Sequence, residues 1–270
     1  MTYLSRIRIN PLRAESRRLL ANPRAMHGAV MGGIPGTPGS ERVLWRLDAD
    51  NPHRPHLLVL TRSKPDWTHI IEAAGWPDAD GEHAAVRDYT PLLDQIALGR
   101  EFAFRLTASP VQNTKSPIKP TPTQSARLAA ETDSKRLRGF RVGHRTAAAQ
   151  LDWFLTRTQR WGFEVPASRC DNPAPGLDEA ATTAPVAEAA DTSSPDPNPA
   201  REVRITERSR HSFVKNPGGH RVTFHRTTFE GRLRVTDPAL FKNHLLNGIG
   251  PSKAYGCGLL TLAPLLSRRA

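Results

Sequence analysis

The side chains able to move a proton near neutral pH are ten histidines and two cysteines, Cys170 and Cys257. No pair of histidines has a His-x-x-x-His spacing and there is no Cys-x-x-Cys, so a zinc or di-metal centre has no ligand set in the sequence. Two cysteines also build no disulfide framework, which fits a reducing compartment. Neither a Gly-x-Ser-x-Gly elbow nor a Walker loop is present, and this removes the best-marked hydrolase and nucleotide-triphosphatase machinery. What remains is acid–base chemistry on a basic surface, without a metal or cofactor.

His27 is the best-placed histidine. It follows the helix-opening pair Asn22-Pro23 and accompanies a strand with Arg6 and Arg8 on its wet face. Imidazole titrates near neutrality and can give or take a proton in a transition state. On residue type alone, a lone histidine beside a glycine fits a surface or hydrogen-bonded structural role equally well. His225 and His244 carry the same ambiguity.

A second candidate is the run from Gly248 to Gly258, with four glycines and Lys253 in eleven residues. Such a run lets backbone N–H groups approach phosphate oxygens while a lysine supplies charge, and it nominates Gly250, Ser252, Lys253, Gly256 and Gly258. The other reading is a tight helix-to-strand connection. Two basic clusters complete the set: Lys135, Arg136, Arg138, Arg141 and Arg145, then Arg204, Arg208, Arg210, Lys215, His220 and Arg221. Arginine-rich ribbons suit the phosphate-lined grooves of folded RNA, and from these clusters Lys135, Arg136, Arg138, Arg141, Arg208, Arg210, Lys215 and Arg221 are the RNA-binding candidates. Each of them singly also reads as a solvated surface charge.

The composition agrees with an acidic partner. Lys and Arg number 38 against 26 Asp and Glu, a net charge of +12 over 270 residues. The stretch 171–200 has six prolines, six acidic residues and no Lys or Arg, and setting it aside leaves +18 on the other 240 residues. It reads as a linker or insertion without a core. Nucleic acid is the commonest partner for so basic a body. No apolar run approaches the roughly 20 residues of a membrane span, and the amino terminus lacks the apolar stretch of a signal peptide. The expectation is a soluble cytoplasmic protein with no membrane contact.

At roughly 150 residues per domain, the length accommodates two. Tyr3 to Ile9 alternates as a strand, a helix follows Asn10-Pro11 with Leu12 on its apolar stripe, and Asn22-Pro23 opens a second. Val43 to Leu47, Leu58 to Leu60 and Phe102 to Leu106 alternate as further strands, with 66–75 and 84–98 helical or irregular between them. Val111 to Thr132 reads as an extended basic loop. Gly139 to Val142 reads as a short strand and Thr146 to Trp161 as a helix. Val203 to Val235 reads as a long hairpin turning at Pro217-Gly218-Gly219, Asp237-Pro238 caps a last helix, and Leu259 to Leu262 closes. Two β-α-β-β-α-β successions predict an α+β protein with tandem ferredoxin-like (RRM-like) domains. Their expected bounds are 1–112, a basic interdomain loop 113–138, and 139–270 interrupted at 171–200.

Several blocks then become recognisable. Tyr3 to Asn10, Leu20 to His27, Leu44-Trp45-Arg46-Leu47, Phe104 to Pro110, Phe229 to Leu233 and the Gly-rich ending resemble the CasE family, the CRISPR-associated endoribonucleases of type I-E systems. The resemblance covers nearly the whole chain outside the two soft stretches. It implies tandem ferredoxin-like domains that bind the stem-loop of CRISPR repeat RNA and cut at its base without metal. In that chemistry the upstream 2′-OH attacks the phosphate, giving a 2′,3′-cyclic end, and the mature guide RNA stays with the other Cascade subunits. His27 matches the family's catalytic histidine. Where some relatives have a tyrosine three residues earlier, this chain has Arg24, which can stabilise phosphate charge but is no neutral proton donor. No basic residue follows within Gly28 to Gly33, although some relatives have one there. Lys135-Arg136 matches a Lys-Arg pair of the interdomain RNA-binding segment. The alternative is a non-catalytic repeat-RNA-binding subunit of the same complex.

Overall fold

A computed structural model describes residues 1–36, 39, 41–130, 139–168, 200–214 and 221–265. β1 (Tyr3–Arg8) buries Ser5 and Ile7 on one face. The next helix starts later than expected. Asn10 Oδ1 accepts the Leu12 N–H at 3.0 Å, forming a side-chain turn that leaves Leu12 76% exposed, and α1 begins only at Ala14 (Ala14–Ala21). Asn22 caps α2 (Pro23–Gly32) as its sequence demands, accepting from the Arg24 and Ala25 N–H groups. β2 (Leu44–Asp48), β3 (His56–Thr61) and α3 (Thr68–Ala74) follow the expected order.

The region 84–98 corrects the reading. It holds β4 (Ala84–Asp88) and the short α4 (Thr90–Asp94). Ala84 and Ala85 have little intrinsic preference for a strand, but β1 offers a free edge and pairs Tyr3 with Asp88 through Ile7 with Ala84. The first sheet thus has the antiparallel order β2-β3-β1-β4. Its core joins Ile7, Ile9, Met26, Val30, Trp45, Leu57 and Ile70 between the sheet and its helices.

The strand read as closing that succession, β5 (Glu101–Ala108), instead lies in a second sheet. Alternating Phe102, Phe104 and Leu106 pattern a strand correctly, yet alternation does not name its partner. The segment 111–132 is likewise no plain loop: it contains β6 (Val111–Thr114), paired with β7 (Phe140–Gly143), and α5 (Pro122–Ala130). α6 (Ala147–Leu155) is shorter than expected. Thr156 and Thr158 hydroxyls donate back to the Asp152 and Leu155 carbonyls, and a 3-10 turn, Gln159–Trp161, ends at Gly162 with φ +83°. β8 (Phe163–Glu164), β9 (Val203–Val214), β10 (Arg221–Val235), α7 (Pro238–Asn247) and β11 (Leu260–Ala263) complete the chain. The second sheet runs β11-β5-β10-β8, with β9 paired to β10 as a long ribbon; the expected turn at 217–219 lies outside the described residues. Phe104, Phe154, Phe163 and Phe229 form its aromatic core, with Phe154 stacked on Phe229 at 4.7 Å between ring centroids.

Candidate functional site

His27 lies on α2, the helix fixed by the Asn22 cap. Its Nδ1 is buried without a hydrogen-bond partner, so Nε2 is the ring nitrogen left to meet a substrate. Burial holds its pKa below the ordinary histidine value, which favours neutral imidazole, the proton-accepting form. Arg24 is exposed three residues earlier, on the same stripe of the helix.

α2 packs against the Gly-rich bend, whose 3-10 turn is Lys253–Tyr255. Here the structure brings together two motifs more than two hundred residues apart in sequence. Ser252 has φ +62°, alone among the described non-glycine residues in the left-handed region. Such strain persists only where the surroundings impose it, often at functional sites. Lys253 is half-buried, and burial together with the nearby Arg42 lowers its pKa. Arg42 is a neighbour that sequence reasoning missed.

The glycines of the bend serve its packing. Gly256 and Gly258 are buried with φ of +79° and +94°. A Cβ at Gly256 would stand 2.7 Å from the Trp45 ring, and one at Gly258 would stand 2.9 Å from the Ile249 carbonyl oxygen. Gly250 is half-buried with Trp153 beneath it. The outer side of the bend is therefore Ser252 and Lys253, not the later glycines.

The ribbon supports the bend with one face and presents cations on the other. Phe213 and Phe224 pack on Tyr255, at 4.9 and 5.7 Å between centroids, around the buried Cys257. Burial pushes that thiol up to about 12, so it stays protonated and inert. Strand alternation turns Arg210, Thr223 and His225 the other way. With the β6–β7 pair and the start of α5 they line a cleft of about 830 Å³ that also holds Lys119, Gln124, Arg141 and Arg145. Among the described residues no carboxylate lines this cleft, and Lys119, Arg141, Arg145 and Arg210 have no ion-pair partner. His225, which has no informative neighbour in sequence, stands among arginines here. Burial first, then Arg210, Arg145 and Arg208, lowers its pKa.

Arg208 does something else: its Nε donates to Gln150 Oε1 at 2.8 Å and its Nη2 to the Arg145 carbonyl, bracing the ribbon on α6. Arg221 is exposed and reaches Ser212 Oγ at 3.4 Å. Lys135, Arg136, Arg138 and Lys215 lie outside the described residues, as does the acidic stretch up to 199. Among the described residues, no three His, Cys, Asp or Glu side chains cluster so as to hold a metal ion, and no helix is long and apolar enough to cross a membrane.

Comparison with known proteins adds four findings. A family model described as CRISPR associated protein matches residues 2–264. The chain is 29% identical over 265 residues to the CRISPR-associated endoribonuclease Cse3 of Thermus thermophilus, covering 97% of this chain and all of that one. Its structure is similar to that of Thermus thermophilus Cse3 bound to an RNA representing a pre-cleavage complex, with a TM-score of 0.64, 25% identity and coverage of 97% and 99%. A chain of a CRISPR RNA-guided surveillance complex, 18% identical, shares the fold at a TM-score of 0.56 over 97% of this chain and 100% of that one.

Proposed function

The chain belongs to the CRISPR-associated protein family that its motifs resemble, and from this membership and its site we propose that it is an endoribonuclease that cuts CRISPR repeat RNA at the base of a stem-loop without a metal. The observation that carries the reading is His27: a half-buried imidazole whose Nδ1 is enclosed and whose pKa is held below the ordinary value by burial, on a helix packed against a strained bend that carries Lys253. In the reaction the 2′-hydroxyl of the nucleotide before the cut gives its proton to His27 Nε2 and attacks the neighbouring phosphorus. The P–O5′ bond breaks, the leaving oxygen takes a proton from solvent, and a 2′,3′-cyclic phosphate remains. Arg24 and Lys253 flank the helix and the bend as cations for the charge that builds on the phosphorane oxygens.

The RNA backbone lies along the ribbon, where Arg210 and Arg221 offer charge and the cleft adds Arg141, Arg145 and Lys119. Lys135, Arg136, Arg138 and Lys215 extend this surface on the family resemblance alone, and Arg208 shapes it from behind. The architecture is tandem ferredoxin-like. Strand pairing favours a boundary between α4 and β5, so that β5 opens the second unit, with 171–200 as an insertion within it. Mature guide RNA and the other Cascade subunits are the partners this reading implies.

The test is cleavage of the protein's own repeat RNA in EDTA, compared with His27→Ala. A cyclic-phosphate product from the wild type, lost in the variant, is expected. Cleavage that survives the substitution, or that requires magnesium, refutes the mechanism. Tight binding by the wild type without any product would instead identify a non-catalytic RNA-binding subunit.

A further inference from the structure

Arg46 sits in the middle of β2, where strand alternation would place an ordinary wet arginine, yet it is only 2% exposed. All five of its N–H groups are engaged. Nε and Nη2 donate to the two oxygens of Asp48 at 2.6 and 2.9 Å. Nη1 donates to the Arg105 carbonyl on β5 at 2.8 Å and to the Leu259 carbonyl at 3.1 Å, and Nη2 to Thr261 Oγ1 on β11 at 2.8 Å. A buried guanidinium with every donor satisfied is costly to disturb, because the carboxylate and carbonyl acceptors it leaves lose their charged partner.

The contacts are selective in what they join. Asp48 is shared with Arg105, whose Nη1 lies 3.5 Å from it and 2.6 Å from Asp50, so a second arginine crosses from β5 back to the first sheet. Burial alone would raise the Asp48 carboxyl, but the hydrogen bonds and charges of Arg46 and Arg105 hold it below the usual carboxylate range. Leu259 is the first residue after the Gly-rich bend, and the residues before Arg46 touch the same bend: Leu44 lies under Gly248 and Trp45 under Gly256. Trp45 packs in turn with Met26 and Val30, the residues of α2 that flank His27.

We propose that Arg46 is a positioning residue: by stapling β2 to β5 and to the exit of the Gly-rich bend, it fixes the helix bearing His27 against the bend bearing Lys253. This rests on the nuclease reading given above. Arg46 touches no surface on which RNA could lie. The cations that line the cleft hang from the β9–β10 ribbon, from the β6–β7 pair and from the segments beside that pair, whereas His27 belongs to a helix on the first sheet. Loosening the staple should therefore leave RNA held and misplace the proton acceptor, and small displacements of a catalytic group cost rate steeply.

The test uses the full chain and its repeat RNA, with Arg46→Gln, Arg46→Lys and Asp48→Asn. Single-turnover cleavage at saturating protein reports the chemical step, and the Kd for a repeat carrying a 2′-deoxy nucleotide at the cut site reports binding. Melting curves identify variants folded at the assay temperature, and only those are scored. The expected result is at least a tenfold fall in single-turnover rate for Arg46→Gln with Kd within threefold, and a smaller fall for Arg46→Lys, which keeps a charge but loses the fork. If Arg46→Gln does not fold, Asp48→Asn is the deciding variant, and the same tenfold fall in it carries the proposal. A fall of less than tenfold in the deciding variant overturns it, and so does a rate loss matched by an equal loss of binding. No cleavage by the wild type would refute the nuclease reading itself, whatever the variants did.

Discussion

Gly256→Ala measures how tightly the bend is locked to the first sheet. Gly256 has φ +79°, and a side chain forced into the left-handed region costs about 1 kcal/mol. The added methyl also has nowhere to go: its carbon would lie 2.7 Å from Trp45 Cζ3, 3.0 Å from Cη2 and 3.2 Å from Cε3. Trp45 is 2% exposed and packed against Met26 and Val30, so its ring cannot swing away freely, and overpacking of this kind costs about 1–3 kcal/mol. Together these predict a loss of about 2–4 kcal/mol, a melting temperature lower by roughly 5–15 °C. Repeat cleavage should fall as well, because the displaced ring pushes on the helix that carries His27. The clash can be isolated, since all three contacting atoms belong to the six-membered ring of the indole, which Trp45→Phe removes. In a thermal-denaturation double-mutant cycle the pair should be coupled by more than about 0.5 kcal/mol, with Trp45→Phe relieving part of the Gly256→Ala penalty. Strict additivity would show that the ring is not the obstacle. A Gly256→Ala protein melting like the wild type would refute both parts of the estimate.

Gly28, next to His27, is the opposite case: it lies inside α2 and a Cβ there meets nothing within 4 Å. Gly28→Ala should raise stability by about 0.5–1 kcal/mol in urea denaturation, and a lower midpoint would contradict the open space around it. The lowered pKa of His27 predicts that kcat/KM for repeat cleavage, which reports the free protein, keeps its plateau below pH 6.5 and declines only as the ring takes up a proton. An acid limb with its midpoint above the ordinary histidine value would mean that His27 is not the group that titrates, or that it is not enclosed.

What could be read from the sequence was what is local. Asn22-Pro23 starts a helix by hydrogen bonds within three residues, and α2 begins where that pair says. The Gly-rich run likewise marks a tight helix-to-strand connection, and Gly248, Gly250, Gly256 and Gly258 take positive φ there. Properties set at a distance were not legible. β4 is a strand because β1 had an empty edge, not because Ala84 and Ala85 prefer one. β5 has a faultless alternation, but its membership of the second sheet is decided by β10, more than a hundred residues later. Arg46 occupies a position that alternation marks as wet, and it is dry because Leu259 and Thr261 come to cover it. His27 could be singled out, but the enclosure of its Nδ1 and the packing of its helix on the bend that carries Lys253 depend on how the two sheets pack.

The same limit applies to charge, and here the structure changes what the net value means. The arginines fall into two populations. One is neutralised by carboxylates set opposite it across the strands: Arg105 faces Glu230, Arg234 faces Glu101 and Glu164, and Arg232 reaches Glu202. Cross-strand pairs of this kind hold sheets together and leave little field outside. Others have no carboxylate partner among the described residues, and of these Arg141, Arg145 and Arg210 lie together on the cleft face, while Arg24 stands on the helix of His27. An RNA bound as proposed spans both units, because the cleft is built on the β9–β10 ribbon and the β6–β7 pair and Arg24 lies on a helix of the first unit. Binding alone would tolerate play between them; proton transfer from a 2′-hydroxyl would not. A buried arginine whose five donors are all satisfied, three of them across to Arg105, Leu259 and Thr261, is the kind of constraint this difference calls for.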